Sequence, residues 1–454
     1  MFKKALIANR GEIALRVIRA CQELGVEPVI AYSEADRDSL PVRILDERNR
    51  VCIGPGPSPK SYLHIPNIIS AALLTGCDAI HPGYGFLSEN ATFAEICADV
   101  GLVFIGPPPA AMVKMGDKVE ARAAMEQAGL PMLPGTDVLR TVNEGEEAAA
   151  RIGFPLMLKA AAGGGGRGIR LVKRPEEFTS VFTTAQSEVR EAFHDDGLYV
   201  ERYLGRAKHV EVQVFCDNYG NGVYLGERNC STQRRHQKLV EESPSPAIPE
   251  ALRREMGERS IKAALAIGYR GAGTMEYLVD EDNNFYFMEM NTRLQVEHPV
   301  TEWVTGVDLV REQLRVASGE ELSMRQEDIK LRGHAIEFRI TAEDPDHDFR
   351  PQTGVVEEYR APGGPGVRVD SHLYQGYEIP PHYDSLLSKL IVWAPTREEA
   401  IERGKRALRE YVIEGVPTTI PFHLKLLENE IFQRGEIYTN FLAEQGEALA
   451  LSKR

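Results

Sequence analysis

The 454-residue sequence has few of the features that mark membrane, secreted or nucleic-acid-binding proteins. No apolar run approaches the roughly 20 residues that a membrane span needs, and the apolar stretch in "MFKKALIANRGE" is too short for a signal peptide. Basic residues (53) are fewer than acidic residues (67), and the net charge of −14 argues against binding to nucleic acid or to a membrane surface.

Cysteine is also scarce, and the spacing of the cysteines does not indicate a disulfide framework. The six cysteines have no close pairs, so disulfides and a zinc site are not expected, and reduced thiols in the cytoplasm are the favoured interpretation. They are Cys21, Cys52, Cys77, Cys97, Cys216 and Cys230.

Strands and helices alternate through the first 110 residues, as in "KALIAN", "RGEIALRVIRACQELG" and "EPVIAYSE". This order predicts an α/β fold that begins with a doubly wound parallel sheet. The chain is too long for one core. We expect an N-terminal domain at 1–110, a connecting helix at 111–130, a small α+β unit at 131–204, a larger antiparallel unit at 205–330, a mixed C-terminal domain with antiparallel sheet at 331–446, and a tail at 447–454.

The most distinctive segment is "LKAAAGGGGRGIRLV", in which Gly163, Gly165 and Gly168 fit the pattern G-x-G-x-x-G. A dinucleotide-binding fold would start a helix at these glycines and place an acid about 20 residues on, which Glu188 offers. However, "GIRLV" alternates like a strand, so the loop is predicted to join two strands and to present backbone N–H groups to phosphates. The alternative is a surface hairpin without a ligand. No P-loop pattern occurs.

Two glutamates are predicted to face each other on a hairpin within "GTMEYLVDEDNNFYFMEMN". A turn centred on Asp282 and Asn283 places Glu276 opposite Glu289, and a shift of two residues places it opposite Asn291 instead. In either register the three side chains share a face. Facing carboxylates are unfavourable unless a cation lies between them, and Mg²⁺ prefers oxygen ligands. The alternative is a solvated pair, but apolar neighbours predict substantial burial.

Arg293, Gln295 and Glu297 alternate beyond this hairpin and would point to one side of an extended segment. A guanidinium, an amide and a carboxylate together suit a small oxyanion and a base that deprotonates it. A plain salt-bridge cluster is the alternative.

Ten motifs in order along the chain resemble those of biotin carboxylase, an ATP-grasp enzyme. They are "KALIANRGEIALRVIRA", "HPGYGFLSEN", "MGDK", "KAAAGGGGRG", "HVEVQ", "STQRRHQKLVEESPSP", "GTMEYL", "FMEMNTRLQVEH", "EFRITAED" and "PHYDSLLSKLIV". The resemblance implies that 131–204 is a mobile lid and 205–330 the main part of an ATP-grasp unit. It implies a reaction in which ATP phosphorylates bicarbonate to carboxyphosphate, whose CO₂ is captured by N1′ of biotin on a carrier protein.

The resemblance also implies residue roles. Glu297 would be the base, Lys238 would steady carboxyphosphate, and Arg339 would bind biotin and stabilise its enolate. Bicarbonate would be held by Lys238, Arg293, Gln295 and the Val296 backbone, and Mg²⁺ or Mn²⁺ by Glu276, Glu289 and Asn291. The implied ATP-binding residues are Lys118, Lys159, Gly163, Gly164, Gly165, Gly166, Glu201, Leu204, His209, Gln233, His236, Glu276, Leu278 and Glu289.

The expected partners follow from what the sequence lacks. There is no Met-Lys-Met biotin-attachment site and no room for a carboxyltransferase domain, so we expect a freestanding subunit that acts with a separate biotin carboxyl carrier protein and a carboxyltransferase subunit. The resemblance implies a homodimer with Arg16, Arg19 and Glu23 at its interface. Acetyl-CoA carboxylase is the expected assembly, with pyruvate or propionyl-CoA carboxylase as alternatives. Another ATP-grasp ligase and a nucleotide-binding regulator without turnover are the competing functions.

Overall fold

The computed structural model describes residues 1–161, 169–193, 196–446 and 448–449. The glycines Gly163–Gly166, which we expected to cover ATP phosphates, lie outside the described residues.

The N-terminal region is a five-stranded parallel sheet in the order β3-β2-β1-β4-β5. Consecutive side chains of β1 point to opposite faces: Leu6 packs in the apolar core with Ile68 and Phe93, and Ile7 in the core with Ile13. Both faces are covered by helices, which confirms the doubly wound prediction. The elements are β1 (Lys4–Ile7), α1 (Gly11–Glu23), β2 (Glu27–Ser33), α2 (Leu40–Arg43), β3 (Arg50–Gly54), α3 (Ile65–Leu74), β4 (Ala79–His81), α4 (Ala91–Asp99) and β5 (Val103–Phe104).

Two helices replace the single connecting helix that we expected: α5 (Pro109–Gly116) and α6 (Lys118–Gln127). The chain is extended at Asp117, whose side chain accepts hydrogen bonds from the backbone of Val119 and Glu120. A carboxylate at this position caps a new helix rather than continuing the old one.

A three-stranded antiparallel sheet, β7-β6-β8, follows. Its elements are α7 (Val142–Ile152), β6 (Leu156–Ala160), β7 (Arg170–Val172), α8 (Phe178–Phe193) and β8 (Leu198–Arg202). The pairing of Leu156 with Val172 shows that the glycine segment connects two strands, as predicted. Glu188 lies within α8 and is 2.6 Å from Arg170, so it has no ribose-binding position.

The largest sheet has eight antiparallel strands in the order β13-β12-β9-β10-β11-β14-β21-β19. Its strands come from both sides of residue 330, so the two predicted units share one sheet, and a division between them stays a prediction. The elements up to that point are β9 (Lys208–Cys216), β10 (Gly222–Arg234), β11 (Gln237–Ser243), α9 (Glu250–Ala266), β12 (Gly271–Val279), β13 (Phe285–Asn291), α10 (His298–Thr305) and α11 (Leu309–Ala317).

The C-terminal region adds the remaining sheet strands and packs helices against them around Phe338, Leu390 and Leu408. Its elements are β14 (His334–Thr341), β15 (Glu343–Asp344), β16 (Arg350–Pro351), β17 (Gly354–Val355), β18 (Glu358–Arg360), β19 (Val367–Ser371), β20 (Glu378–Ile379), β21 (Leu386–Ala394), α12 (Arg397–Glu410), β22 (Val412–Glu414), α13 (Ile420–Glu428), α14 (Glu430–Arg434) and α15 (Phe441–Glu444).

All six cysteines are free thiols, and five of them are buried, with Cys52 exposed. Among the described helices, none has the length and apolarity needed to cross a membrane.

Candidate active site

The two predicted carboxylates face each other on the β12–β13 hairpin. Glu276 pairs with Glu289, and Asn291 pairs with Thr274. The Asn291 amide donates to Glu276 at 2.8 Å, so the three side chains share a face as predicted. The register slips by one residue beyond Glu276, because Met288 has no partner across the hairpin, and Tyr277 pairs with Phe287. The pairs nearer the turn are offset by one residue from the predicted register, so this bulge, which lies between Glu289 and the turn, brings Glu276 opposite Glu289.

The prediction that both glutamates are buried holds for only one of them. Glu276 is 5% exposed, whereas Glu289 is exposed to solvent. The difference follows from the sheet order, because β13 is an edge strand and β12 is covered on both sides by strands. Although Glu289 remains accessible to solvent, protein atoms crowd its carboxyl group, and this desolvation first, and then the charge of Glu276, raise its pKa. Lys118, His209 and Lys238 oppose the shift without cancelling it, so a further cation would stabilise the pair.

Lys238 lies at the centre of the site and joins three carboxylates. Its Nζ is 2.6 Å from Glu211, 3.0 Å from Glu276 and 2.6 Å from Glu297. Burial opposes the charge of Lys238, but these three carboxylates outweigh it and raise the lysine pKa well above its usual value. Burial would also raise the pKa of Glu276, but Lys238 and His209 lower it, so this carboxylate is ionised.

Glu297 is completely buried and held between two cations. One oxygen is 2.6 Å from Lys238, and the other accepts from Arg339 at 2.9 Å. Burial alone would raise the pKa of Glu297, yet Lys238, Arg339 and Arg228 hold it well below its ordinary value. An ionised carboxylate can accept a proton, and the two adjacent cations can stabilise an anion brought to it.

Arg339 pairs with carboxylates from other parts of the chain rather than with its sequence neighbours Glu337 and Glu343. Its partners are Glu241, which accepts from Nε at 2.6 Å, and Glu297. Glu241 comes from β11, which lies directly beside β14. Burial, opposed by Arg339 but reinforced by the charge of Glu297, raises the pKa of Glu241 to about 7.

Arg293 and Gln295 converge with the hairpin residues. The Arg293 guanidinium donates to Gln295 at 2.9 Å and to Asn291 at 3.1 Å, and the Gln295 amide donates to Glu276 at 3.1 Å. The segment is not extended throughout, because the chain turns at 296–297 before α10. That turn directs Glu297 towards Lys238 rather than beside Gln295.

The predicted nucleotide residues border the same cleft. Lys159 is 2.5 Å from Glu201, and His209 is 3.0 Å from Glu276. Desolvation first, and then the charges of Lys159 and His209, lower the pKa of His236, which lies at an exposed turn with φ +65°.

The other predicted nucleotide-binding residues within the described part of the chain are half-buried: Lys118, Leu204, Gln233 and Leu278. Lys118 is the first residue of α6, and its charge counteracts the raised pKa of Glu289. Gln233 pairs with Lys238 across β10 and β11, Leu278 pairs with His209 across β12 and β9, and Leu204 follows β8.

Sequence reasoning missed several charged residues that support the site. Arg228, which is fully buried, donates to Gln213 at 2.8 Å and also pairs with Glu211. The alternation of "HVEVQ" could have identified Glu211, since it places His209, Glu211 and Gln213 on one face of β9. Glu89, which accepts from Arg293 at 3.0 Å, lies in the loop between β4 and α4, 204 residues earlier. It belongs to the motif "HPGYGFLSEN", but nothing in its local sequence indicated Arg293 as its partner.

Comparison with protein-family models gives three consecutive matches. Residues 1–112 match the biotin carboxylase N-terminal domain, 117–325 the ATP-binding domain of the carbamoyl-phosphate synthase L chain, and 337–444 the biotin carboxylase C-terminal domain.

Known proteins match over nearly the whole chain. A biotin carboxylase from Nostoc sp. is 58% identical over 98% of this chain and 99% of its own length, and a pyruvate carboxylase subunit from Methanothermobacter thermautotrophicus is 53% identical over 98% and 90%. Among solved structures, the biotin carboxylase domain dimer of a Hydrogenobacter thermophilus 2-oxoglutarate carboxylase, with MgADP, ADP and bicarbonate, superimposes with a TM-score of 0.95 at 48% identity, covering 100% of both chains. A Campylobacter jejuni biotin carboxylase in a β-γ-ATP complex gives 0.95 at 49%, covering 98% of this chain and 99% of that one.

Proposed function

The chain belongs to the biotin carboxylase family, and we propose from this premise that it carboxylates biotin on a separate carrier protein at the expense of ATP. The observation that carries the proposal is the position of Glu297, an ionised carboxylate buried between Lys238 and Arg339. This arrangement provides a base and two cations at one point, which deprotonation and phosphorylation of bicarbonate require.

The nucleotide is proposed to lie between the β6–β8 sheet and the large sheet. Lys118 and Lys159 would bind its phosphates, with Gly163–Gly166 covering them. Glu201 and Leu204 would border the adenine, and the pocket would be completed by His209, Gln233, His236 and Leu278. Phosphoryl transfer depends mainly on positioning and on cations around the transferring group, which suits this set.

Glu276, Glu289 and Asn291 fit a Mg²⁺ or Mn²⁺ ion. Their donor atoms are oxygens, and the pairing of Glu276 with Glu289 brings two carboxylates to one point. The charge of Glu276, after desolvation, contributes to the raised pKa of Glu289. When bound, the metal would neutralise phosphate charge during transfer.

Bicarbonate is proposed to bind Arg293, Gln295, Lys238 and the Val296 backbone. The bicarbonate hydroxyl would give its proton to Glu297, and the resulting oxygen would attack the γ-phosphorus, releasing ADP and forming carboxyphosphate. Lys238, 2.6 Å from Glu297, is placed to bind that intermediate.

Carboxyphosphate would break down to CO₂ and phosphate, and the phosphate would take the N1′ proton of biotin. Arg339 is proposed to stabilise the resulting enolate while N1′ captures the CO₂. Its guanidinium stays cationic because Glu241 and Glu297 outweigh burial and raise its pKa. A permanent cation at this point favours the developing anionic oxygen.

One assay tests the proposal and its competitors. ADP release should depend on bicarbonate, and free biotin should accelerate it. Turnover that requires an amine instead would indicate another ATP-grasp ligase, and nucleotide binding without turnover would indicate a regulator.

The assembly is proposed to be acetyl-CoA carboxylase, in fatty acid biosynthesis in the cytoplasm, with a biotin carboxyl carrier protein and a carboxyltransferase subunit. The similarity to a pyruvate carboxylase subunit keeps pyruvate as an alternative acceptor. Carboxylation of purified carrier proteins from each class, compared by kcat/KM, distinguishes them. Preference for a pyruvate or propionyl-CoA carboxylase carrier would reject the acetyl-CoA assignment.

We also propose a homodimer, for which α1 supplies exposed charges at Arg19 and Glu23. Arg16, which we had grouped with them, is 9% exposed and pairs with Glu302 and Asp308 of its own chain, so it is not a free interface residue in this subunit. Sedimentation equilibrium tests the dimer: a single species of monomer mass would contradict it.

A further inference from the structure

A ring of six charges, five of them buried, contacts the segment that carries Glu297. Lys389 is 3.2 Å from Glu12 and 3.8 Å from Asp370, Arg368 is 2.7 Å from both Asp370 and Glu302, and Arg16 is 2.8 Å from Glu302. Glu12 and Arg16 are one turn apart on α1, so the helix itself, rather than an ion pair, completes the ring. The members are Glu12, Lys389, Asp370, Arg368, Glu302 and Arg16.

This ring contacts the catalytic segment at two points. Glu302 lies within α10, the helix that begins directly after Glu297. At the other point, the Lys389 ammonium, which is completely buried, donates to the Val296 carbonyl at 2.8 Å. Burial of an ammonium group costs desolvation free energy unless the group is paired. The hydrogen bond from Lys389 to this one backbone carbonyl therefore suggests a specific role.

The Val296 carbonyl and the Glu297 N–H belong to one planar peptide group. A charge-assisted hydrogen bond to that carbonyl fixes the orientation of the whole group, including the backbone through which Glu297 is attached. Lys389 therefore acts on the Glu297 position through the backbone, whereas the Glu297 carboxylate is bound by Lys238 and Arg339.

Resting on the proposed function, we propose that Lys389 is a positioning residue for bicarbonate binding and deprotonation, holding the Val296–Glu297 peptide in the orientation that the base requires. Glu12 and Asp370 fix the ammonium from α1 and β19. The nucleotide residues Lys118 and Lys159 lie on other elements, so they are independent of this anchor.

The test is the variant Lys389→Met, which keeps a side chain of similar length but removes the positive charge. We expect kcat/KM for bicarbonate to fall by about 30-fold or more, while KM for MgATP stays within about twofold, because a small misplacement of a catalytic group has large kinetic effects. The matched control is Arg397→Met, which also removes a buried cation bound to a carboxylate, Glu242, and to the carbonyls of Phe432 and Gln433.

The outcomes separate the two proposals. Wild-type protein without bicarbonate-dependent ADP release would refute the proposed function. If the wild type is active, an equal change in the bicarbonate and MgATP parameters, as for Arg397→Met, or no change at all, would overturn the role of Lys389. Should Lys389→Met fail to fold, Glu12→Gln decides: a selective loss of about threefold or more in kcat/KM for bicarbonate supports the proposal, and unchanged bicarbonate kinetics overturn it.

Discussion

Replacing Glu337 by Gln should stabilise the protein, and the gain should increase with pH. Glu337 is completely buried on β14, directly opposite Glu241 on β11, and both of its carboxyl oxygens lack a hydrogen-bond partner among the described residues. Burial first, reinforced by the charge of Glu241 and opposed by Lys389, raises its pKa well above the ordinary 4.5. A Gln amide at this position can donate to the Glu241 oxygen that also has no partner among those residues.

The magnitude follows from proton linkage. The folded protein keeps a proton on Glu337 that the unfolded chain releases above pH 4.5, so wild-type stability falls as pH rises from that value to the raised pKa. Each pH unit in this window contributes about 1.4 kcal/mol, so the advantage of Glu337→Gln in the free energy of unfolding should be larger at about pH 7.5 than at about pH 5.5, by about that amount for each unit of the interval that lies below the raised pKa.

Urea unfolding followed by tryptophan fluorescence measures this pH-dependent difference in stability in the region around β14. The chain has two tryptophans, and Trp393 on β21, the strand next to β14, stacks on Trp303 at 6.1 Å. Glu358→Gln, at an exposed position on β18, is the control and should show no such pH dependence. An advantage that is equal at both pH values, or a destabilised variant at the higher one, would refute the reasoning.

Further predictions concern the base, the metal and the thiols. Glu297→Gln should leave nucleotide affinity nearly unchanged in calorimetry but lower bicarbonate-dependent ADP release by about 10²-fold or more, and wild-type turnover would reject the base assignment. Glu289→Gln should raise the Mg²⁺ concentration for half-maximal activity by about tenfold, because a charged ligand is lost, whereas Glu281→Gln in the exposed hairpin turn should not; equal Mg²⁺ curves for wild type and Glu289→Gln would contradict this. A maleimide should label one thiol rapidly in the native protein, and Cys52→Ser should abolish it; several fast thiols would contradict the observed burial.

Local rules predicted the parts of the site that depend on one hairpin. The turn chemistry of "DEDNN" predicted a hairpin on which Glu276, Glu289 and Asn291 share a face, and the bulge at Met288 selects the pairing with Glu289. The same rules could not predict that β13 lies at the sheet edge, so the expected burial of Glu289 was wrong. Alternation in the strand after the glycines likewise excluded the dinucleotide fold correctly.

Local sequence rules could not predict contacts between strands that are distant in the sequence. Lys238 lies on β11, Glu211 on β9 and Glu276 on β12. They contact one another because these strands lie close together in the sheet order β12-β9-β10-β11, which depends on tertiary packing. The partners of Arg339 likewise come from distant parts of the chain, β11 and the turn before α10. Roles for these residues came from the family resemblance, and their geometry came only from the structure.

The most direct test of the account is the rate of ADP release by the purified protein with Mg²⁺ and ATP, measured with and without bicarbonate and then with free biotin. Carboxylation of biotin through carboxyphosphate should give little ADP release without bicarbonate, a clear increase when bicarbonate is added, and a further increase with biotin. ADP release at the same rate in bicarbonate-free buffer, unaffected by biotin, would contradict it.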